Sequence, residues 1–215
     1  MAGIFKAYDI RGIYGKDLTE DTAYRIGRAF VTFLGGCKKV VVGRDMRPHS
    51  EPLFQALARG LTEQGADVID LGLASTPMCY HANGKLNADG GIMITASHNT
   101  AEWNGFKLCR AQAEPISGAT GILDIEKIVN EGSFAPKAAK PGKVTPYDIL
   151  PEYTKHVAKF AHLKRPVHVA IDFANGMGIW EVKTLKGLIT WDGLFETPDG
   201  TFPNHEANPL HTATL

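Results

Sequence analysis

An α/β layered domain followed by the opening of a second one is the fold class this sequence predicts, and three observations predict it. Short apolar runs alternate with segments of helical period, the pattern of a sheet with helices packed on it. A stretch rich in Gly, Ser, Pro, Ala and Lys, without apolar period, covers 131–146 and reads as an interdomain linker. Beyond it, a strand-like run at 167–172 leads through Asn175-Gly176-Met177-Gly178 into a helical segment, the first β-turn-α of another layered unit.

The elements follow in chain order. Ile4-Phe5 is strand-like. Residues 19–34 predict a helix: Thr19 caps it, Glu20 and Asp21 suit the positive end of its dipole, and Ala23, Ile26, Phe30, Phe33 and Leu34 recur at helical spacing until Gly35-Gly36. Val40, Val41 and Val42 form a short apolar strand. Ser50 reads as the next N-cap, Pro52 fits a first turn, and Leu53, Leu57 and Leu61 make a stripe ending near Gly65. A strand over 66–71 and a short helix over 76–82 come next, then a buried-type strand over 91–95 holding Ile92, Met93 and Ile94. After the linker, residues 147–162 look helical. About 70 residues follow Pro146, fewer than such a layered domain usually needs, so the second domain reads as cut short.

Composition narrows the function classes. The 215 residues carry 23 Lys+Arg against 23 Asp+Glu, and neither half leans strongly basic, which argues against a nucleic-acid or lipid-surface partner. No run approaches a membrane span and no signal core follows Met1, so a cytoplasmic protein is expected. Cys37, Cys79 and Cys109 fit neither a zinc site nor a disulfide framework and read as packed thiols. His49, His81, His156, His162, His168, His205 and His211 show no metal-ligand spacing.

The chemistry gathers where the strand at 91–95 ends, in Ser97-His98-Asn99-Thr100. Ligands of open α/β sheets bind outside the carboxyl ends of strands, which places a hydroxyl, an imidazole and an amide where they are useful. Spacing alone also allows a plain turn in which Ser97 and Asn99 cap backbone groups. Arg11, in Tyr8-Asp9-Ile10-Arg11-Gly12, is suited to reaching a phosphate or to a surface ion pair. Arg44 and Asp45 follow the Val40 strand, and a buried Arg44–Asp45 pair holding the loop is the favoured reading there. Lys107 is a lone cation in the strand-like Gly105-Phe106-Lys107-Leu108, placed to face the same crevice.

Five segments, in order, carry a resemblance: 6–12 (KAYDIRG), 42–47 (VGRDMR), 91–107 (GIMITASHNTAEWNGFK), 172–178 (DFANGMG) and 198–210 (PDGTFPNHEANPL). Together they resemble the α-D-phosphohexomutases, the phosphomannomutases and phosphoglucomutases. The resemblance implies a three-layer α/β/α domain with a mixed, mostly parallel sheet over 1–145, followed by an incomplete second domain of the same type over 146–215. It also implies that Ser97 is a phosphoryl carrier interconverting hexose 1-phosphate and 6-phosphate, of mannose or glucose, through a bisphosphorylated sugar. Phosphoserine places about 1.5 to 2 negative charges at the strand end. Arg11 and Lys107 are the matching cations, His98 is a catalytic partner of Ser97, and Tyr8 and Asn99 are the substrate- and phosphate-binding residues. Implied small molecules are hexose phosphates, a hexose 1,6-bisphosphate activator, and magnesium held in part by Ser97 through its phosphate.

Two departures stand in the motif. Thr100 replaces the usual proline and Trp103 the usual tyrosine, and the first adds a backbone N–H and frees one dihedral. The family's Asp-Gly-Asp-x-Asp-Arg metal loop does not occur in these residues, nor do its sugar-reading and distal phosphate loops. The expectation is a front portion of a mutase, weakly active or inactive alone, with apolar surface exposed around 167–171 and Ile179-Trp180. The alternatives are a non-catalytic sugar-phosphate-binding module and a phosphoglucosamine mutase. A serine hydrolase is disfavoured, since no Gly-x-Ser-x-Gly elbow is present. The hexose preferred and the oligomeric state are not legible in the sequence.

Overall fold

A computed structural model describes residues 3–208. Pro209 and Leu210 of the last motif, and His211, lie outside the described residues. The first sheet has six strands in the order β1 (Ile10–Ile13), β5 (Trp103–Arg110), β4 (Gly90–Ile94), β2 (Lys39–Arg44), β3 (Asp67–Leu73) and β6 (Val144–Pro146). The β1–β5 and β5–β4 pairs are antiparallel, and the other three are parallel. The sheet is therefore mixed and mostly parallel.

Strand alternation sorts side chains between two cores. Val40, Val42, Ile92, Ile94, Phe106 and Leu108 belong to one, with Phe30 of α1 (Glu20–Phe33), Leu57 of α2 (Ser50–Glu63) and Ile125 of α4 (Ile122–Glu131). Val41 and Met93 face the other, with Met78 and Cys79 of α3 (Thr76–Lys85) and Tyr153 of α5 (Leu150–Ala158). Helices thus cover both faces in a three-layer α/β/α arrangement. Cys79 and Cys109 are buried, and burial pushes the Cys109 thiol up to about 12, so it stays protonated at neutral pH.

Local signals explain several boundaries. Thr19 does cap α1, accepting from the Thr22 N–H at 3.3 Å. Ser50 does not cap α2: its hydroxyl donates to the buried Asp45 carboxylate at 2.6 Å, and its oxygen accepts from the Asn104 side-chain nitrogen at 2.9 Å rather than from a backbone N–H. Ser75 caps α3 instead, one residue before the predicted start, accepting from Met78 N–H at 3.3 Å. The helix predicted over 147–162 shortens to α5.

The segment at 131–146 is less free than its composition predicts. Ala135 N–H donates to Thr32 Oγ1 at 3.0 Å, Ala138 N–H to Glu63 O at 2.9 Å and Gly142 N–H to Thr62 O at 2.9 Å, and the last three residues add β6 to the sheet. Backbone groups supply these bonds, so no apolar period is needed to fix the segment. Beyond α5, β7 (Val167–Asp172) and β8 (Ile189–Leu194) pair in parallel as a separate two-stranded sheet, joined through α6 (Gly178–Lys183). Ile179 is buried and Trp180 packs against the α3–α5 core, contrary to the exposure expected there, since α6 docks on the first sheet's helices. Val167, Val169 and Ile171 are half-buried, and the larger apolar exposure falls on Phe160 and Leu194. Among the described residues no helix is long and apolar enough to cross a membrane.

Helices α1 and α2 cross backbone to backbone at Gly27 and Gly60, where a Cβ on Gly60 would collide with the Tyr24 carbonyl. Alanine favours a helix over glycine by about 1 kcal/mol, while forcing atoms into a packed contact costs about 1–3 kcal/mol. Gly60→Ala is therefore expected to lower unfolding free energy by up to about 2 kcal/mol, read as a lower urea midpoint at unchanged m-value; a midpoint above wild type would show that propensity wins.

Candidate active site

Strand β4 is buried throughout and delivers Thr95 and Ala96, also buried, to the point where Ser97 and His98 emerge into solvent. The Thr95 hydroxyl accepts the Ser97 N–H at 2.9 Å, and Asn99 N–H donates to Ala96 O at 3.1 Å, closing a tight turn. Ser97 has φ +58°, the left-handed region that an L-residue enters at a cost of about 1–2 kcal/mol. Its hydroxyl caps no backbone group; it lies 3.3 Å from His98 Nδ1. Thr95 closes the turn, and the Ser97 oxygen is left facing outward beside an imidazole.

The strand pairing brings cations to this turn. Arg11 on β1 lies opposite Gly105, Lys107 lies opposite Met93, and Thr95 N–H donates to Gly105 O at 2.9 Å. Period-2 alternation puts Arg11, Lys107, Met93 and Thr95 on one face of the sheet, opposite the Phe106–Leu108 core. Arg11 donates to the Asn99 side-chain oxygen and to Asp9, and Lys107 Nζ lies 3.9 Å from the same Asp9 carboxylate. The Arg11 pair is largely covered, so it is no surface ion pair, and the Arg11 Nε is buried without a partner. Asp9 was not among the predicted site residues. Its signal was its spacing of two from Arg11, which points both side chains to one side of an extended chain. Tyr8 is 82% exposed, and no hydrogen bond among the described residues joins its side chain to the other predicted site residues.

Arg44 does not pair with Asp45. It reaches Asp70 at 2.6 Å and Glu51 at 2.6 Å, because consecutive residues on a strand point to opposite sides. Asp45 instead accepts from Arg47 Nε at 3.2 Å, and the fully buried Arg47 guanidinium spreads under the Ser97 turn, donating to Asn99 O and Thr100 O at 2.6 Å, Trp103 O at 3.0 Å and Ser97 O at 3.3 Å. Burial pulls its pKa below the usual arginine value, with Asp45 opposing. No local signal in the 42–47 motif assigns Arg47 a role. Only a fold that closes 97–103 over β2 gives it one.

His49 completes the support. Its Nε2 meets Ala101 O at 2.9 Å, its Nδ1 faces the Asn104 side-chain nitrogen at 2.9 Å, and its ring stacks on Tyr14 at 4.7 Å. Nε2 is thus the donor and Nδ1 the acceptor of a neutral ring. Desolvation, assisted by the Arg47 charge, lowers its pKa. The unfolded ring titrates near 6.5, so the contribution of His49 to stability is full above that pH and is lost as pH falls through the lowered folded value. Urea midpoints at about pH 7.5 and pH 5.5 should therefore drop on acidification, and His49→Gln should narrow the drop; an equal drop in both proteins would locate the pH dependence elsewhere.

The turn opens on a crevice of 390 Å³ lined by Met46, Pro77, Met93, Ser97, His98 and Met177, a volume in the range of small-molecule sites. Magnesium does not fit the residues present. Among the described residues no three His, Cys, Asp or Glu side chains gather to hold a metal, and the carboxylates nearest the turn are engaged: Asp9 with Arg11, and Asp45 with Arg47 and Ser50.

Comparison with known proteins places this geometry. Residues 2–136 match the phosphoglucomutase/phosphomannomutase alpha/beta/alpha domain I model. A phosphomannomutase of Escherichia coli is 45% identical over 217 residues, covering 96% of this chain and 47% of that protein. A phosphoglucomutase of Neisseria meningitidis serogroup B is 42% identical over 218 residues, covering 99% and 46%. The crystal structure of a phosphoglucomutase/phosphomannomutase family protein from Burkholderia thailandensis superposes with TM-score 0.90 at 36% identity, over 99% of this chain and 48% of that one. The chain spans about half the length of the curated relatives it matches. With the domain model covering most of its first sheet and its helices, and the five motifs in order along it, the chain belongs to the phosphoglucomutase/phosphomannomutase family.

Proposed function

We propose that this chain carries the phosphoserine centre of a phosphohexomutase that interconverts hexose 1-phosphate and hexose 6-phosphate of mannose or glucose, with residues 1–145 as its phosphoserine unit and 146–215 as the opening of a second unit. The observation that carries the reading is the outward Ser97 hydroxyl on a left-handed turn at the end of β4, beside His98 Nδ1 and an Asn99 bound to Arg11.

In the loading step, Ser97 Oγ attacks a phosphorus of a hexose 1,6-bisphosphate. The new Oγ–P bond forms as the P–O bond to the sugar breaks. The serine proton passes to His98 or solvent, and one proton returns to the departing sugar oxygen. The reverse step hands the phosphoryl group to the free hydroxyl of a hexose monophosphate. Alignment and charge stabilisation dominate such transfers. Arg11 and Lys107, offset by Asp9, leave one net positive charge toward the phosphate. In this reading His98 moves the proton and Asn99 relays Arg11 to the phosphate oxygens, while Tyr8, exposed, meets the sugar as it arrives.

Calorimetry with glucose 1-phosphate tests the electrostatic half of the proposal. Arg11→Ala and Lys107→Ala should each weaken binding by about 10- to 150-fold, or roughly 1.5–3 kcal/mol for a charge-assisted contact. Unchanged affinity in both would move the phosphate site elsewhere.

A further inference from the structure

Beneath the Ser97 turn, the Arg47 guanidinium uses every N–H it has. Nε donates to Asp45, Nη1 donates to Thr100 O and Trp103 O, and Nη2 to Asn99 O and Ser97 O. Five donors in a rigid planar fork meet five acceptors, four of them main-chain carbonyls of one short segment. The side chain has no solvent exposure and Asp45 has almost none, so its charge is fixed in place and balanced there. Nothing else among the described side chains binds the Ser97 carbonyl. A left-handed serine relaxes toward ordinary backbone angles unless its surroundings over-determine it.

A segment of the second unit closes over this arginine. Gly200 is buried against the Arg47 backbone, where a Cβ would overlap the Arg47 Cα and nitrogen, and the Phe202 ring lies 5.0 Å from the guanidinium carbon. The ring shields the fork from water, and the glycine is what lets 198–202 approach so closely. The two units therefore meet at the residue that holds the Ser97 turn.

We infer that Arg47 is a positioning residue for Ser97, fixing the direction of its hydroxyl through the four turn carbonyls, and that the segment 198–202 locks Arg47 from the second unit. The inference rests on the reading of Ser97 as phosphoryl acceptor for its effect on rate, but the effect on the turn is independent of that reading. Lysine cannot replace the fork, since three tetrahedral donors do not reach five coplanar acceptors.

The test uses the full chain with glucose 1,6-bisphosphate. It reads the rate of phosphate uptake at Ser97 by mass spectrometry, amide hydrogen exchange across the chain, and glucose 1-phosphate affinity. Arg47→Lys should raise exchange at least tenfold within 97–103 while leaving β2 and α2 protected, and should slow uptake at least thirtyfold with affinity changed less than threefold. Gly200→Ala, which lies outside the turn and keeps the arginine side chain while displacing the segment packed on it, should shift exchange and rate in the same direction by about three- to tenfold, and serves if Arg47→Lys fails to fold. Guanidinium added to Arg47→Ala should restore part of the rate. Wild-type uptake in Arg47→Lys, or exchange raised equally throughout the chain, overturns the inference. If the wild-type protein takes up no phosphate, the Ser97 reading falls and exchange alone decides: a rise confined to 97–103 supports the positioning role, and no rise removes it.

Discussion

Replacing Ser97 by alanine is expected to abolish phosphate uptake from glucose 1,6-bisphosphate, while replacing it by glycine should do the same and raise stability. Uptake needs an accessible oxygen nucleophile, and the other candidate serines beside the crevice are committed. Ser50 is buried and donates to Asp45, and Ser75 caps α3 and donates to Glu181. Ser97 alone among these is exposed and free of backbone bonds through its hydroxyl. Its φ of +58° is a strain that glycine does not feel, so Ser97→Gly should gain about 1 kcal/mol in urea unfolding, whereas Ser97→Ala keeps the strain. Peptide mapping after exposure to the bisphosphate decides the first point: phosphate retained by Ser97→Ala, or found at another residue, would end the phosphoserine reading. A glycine variant less stable than wild type would mean that the hydroxyl contact to His98 outweighs the backbone cost.

Gly105→Val is expected to give the largest loss of stability and to weaken phosphate binding with it. Gly105 lies opposite Arg11 in the antiparallel β1–β5 pair, and a Cβ there would overlap the Ile10 carbonyl and crowd the Arg11 Cα. Both obstacles are backbone, so relief requires β1 to move. Valine's preference for strands gains at most about 1 kcal/mol. Overpacking at a rigid contact, with ladder bonds broken as well, costs about 3 kcal/mol or more. For a chain of this length about 3 kcal/mol corresponds to a melting point roughly 6–12 °C lower. The strand that moves carries Arg11, so glucose 1-phosphate affinity should fall about tenfold or more, the loss of one charge-assisted contact. A melting point within 2 °C of wild type would show that β1 has room the geometry denies it.

The local code was legible residue by residue. Thr19 with Glu20 and Asp21 announced α1, the Leu53–Leu57–Leu61 stripe announced α2, the three valines at 40–42 announced β2, and the run 167–172 coincides with β7. Each rests on an interaction within a few residues: a cap, a helical period, an alternation. The location of the polar turn at Ser97 was also legible, because a polar triplet after a buried strand marks a strand end wherever the strand sits. β1, α4 and β8 are not among the predicted elements: the strand expected at Ile4-Phe5 is a single bridge from Phe5 to Ile10, and the first strand is 10–13; β6 was hidden in a stretch whose composition said linker.

What the tertiary structure decided is which partner each polar group finds. The β1–β5 pairing brings Arg11 to Asn99 across 88 positions of sequence. Arg44 goes to Asp70 and Glu51 while Arg47, unassigned by any local signal, takes Asp45 and the carbonyls of the Ser97 turn. A side chain's propensity is a property of its neighbours in the chain, but its hydrogen-bond partner is set by whichever acceptor the packed core leaves unsatisfied beside it, and a buried guanidinium must take those acceptors or not be buried at all. The sequence by itself therefore determined those elements that a cap, a helical period or an alternation announces, and the place of the serine at a strand end. The geometry that aims the serine came only with the packing of β1, β2 and the segment 198–202 around it.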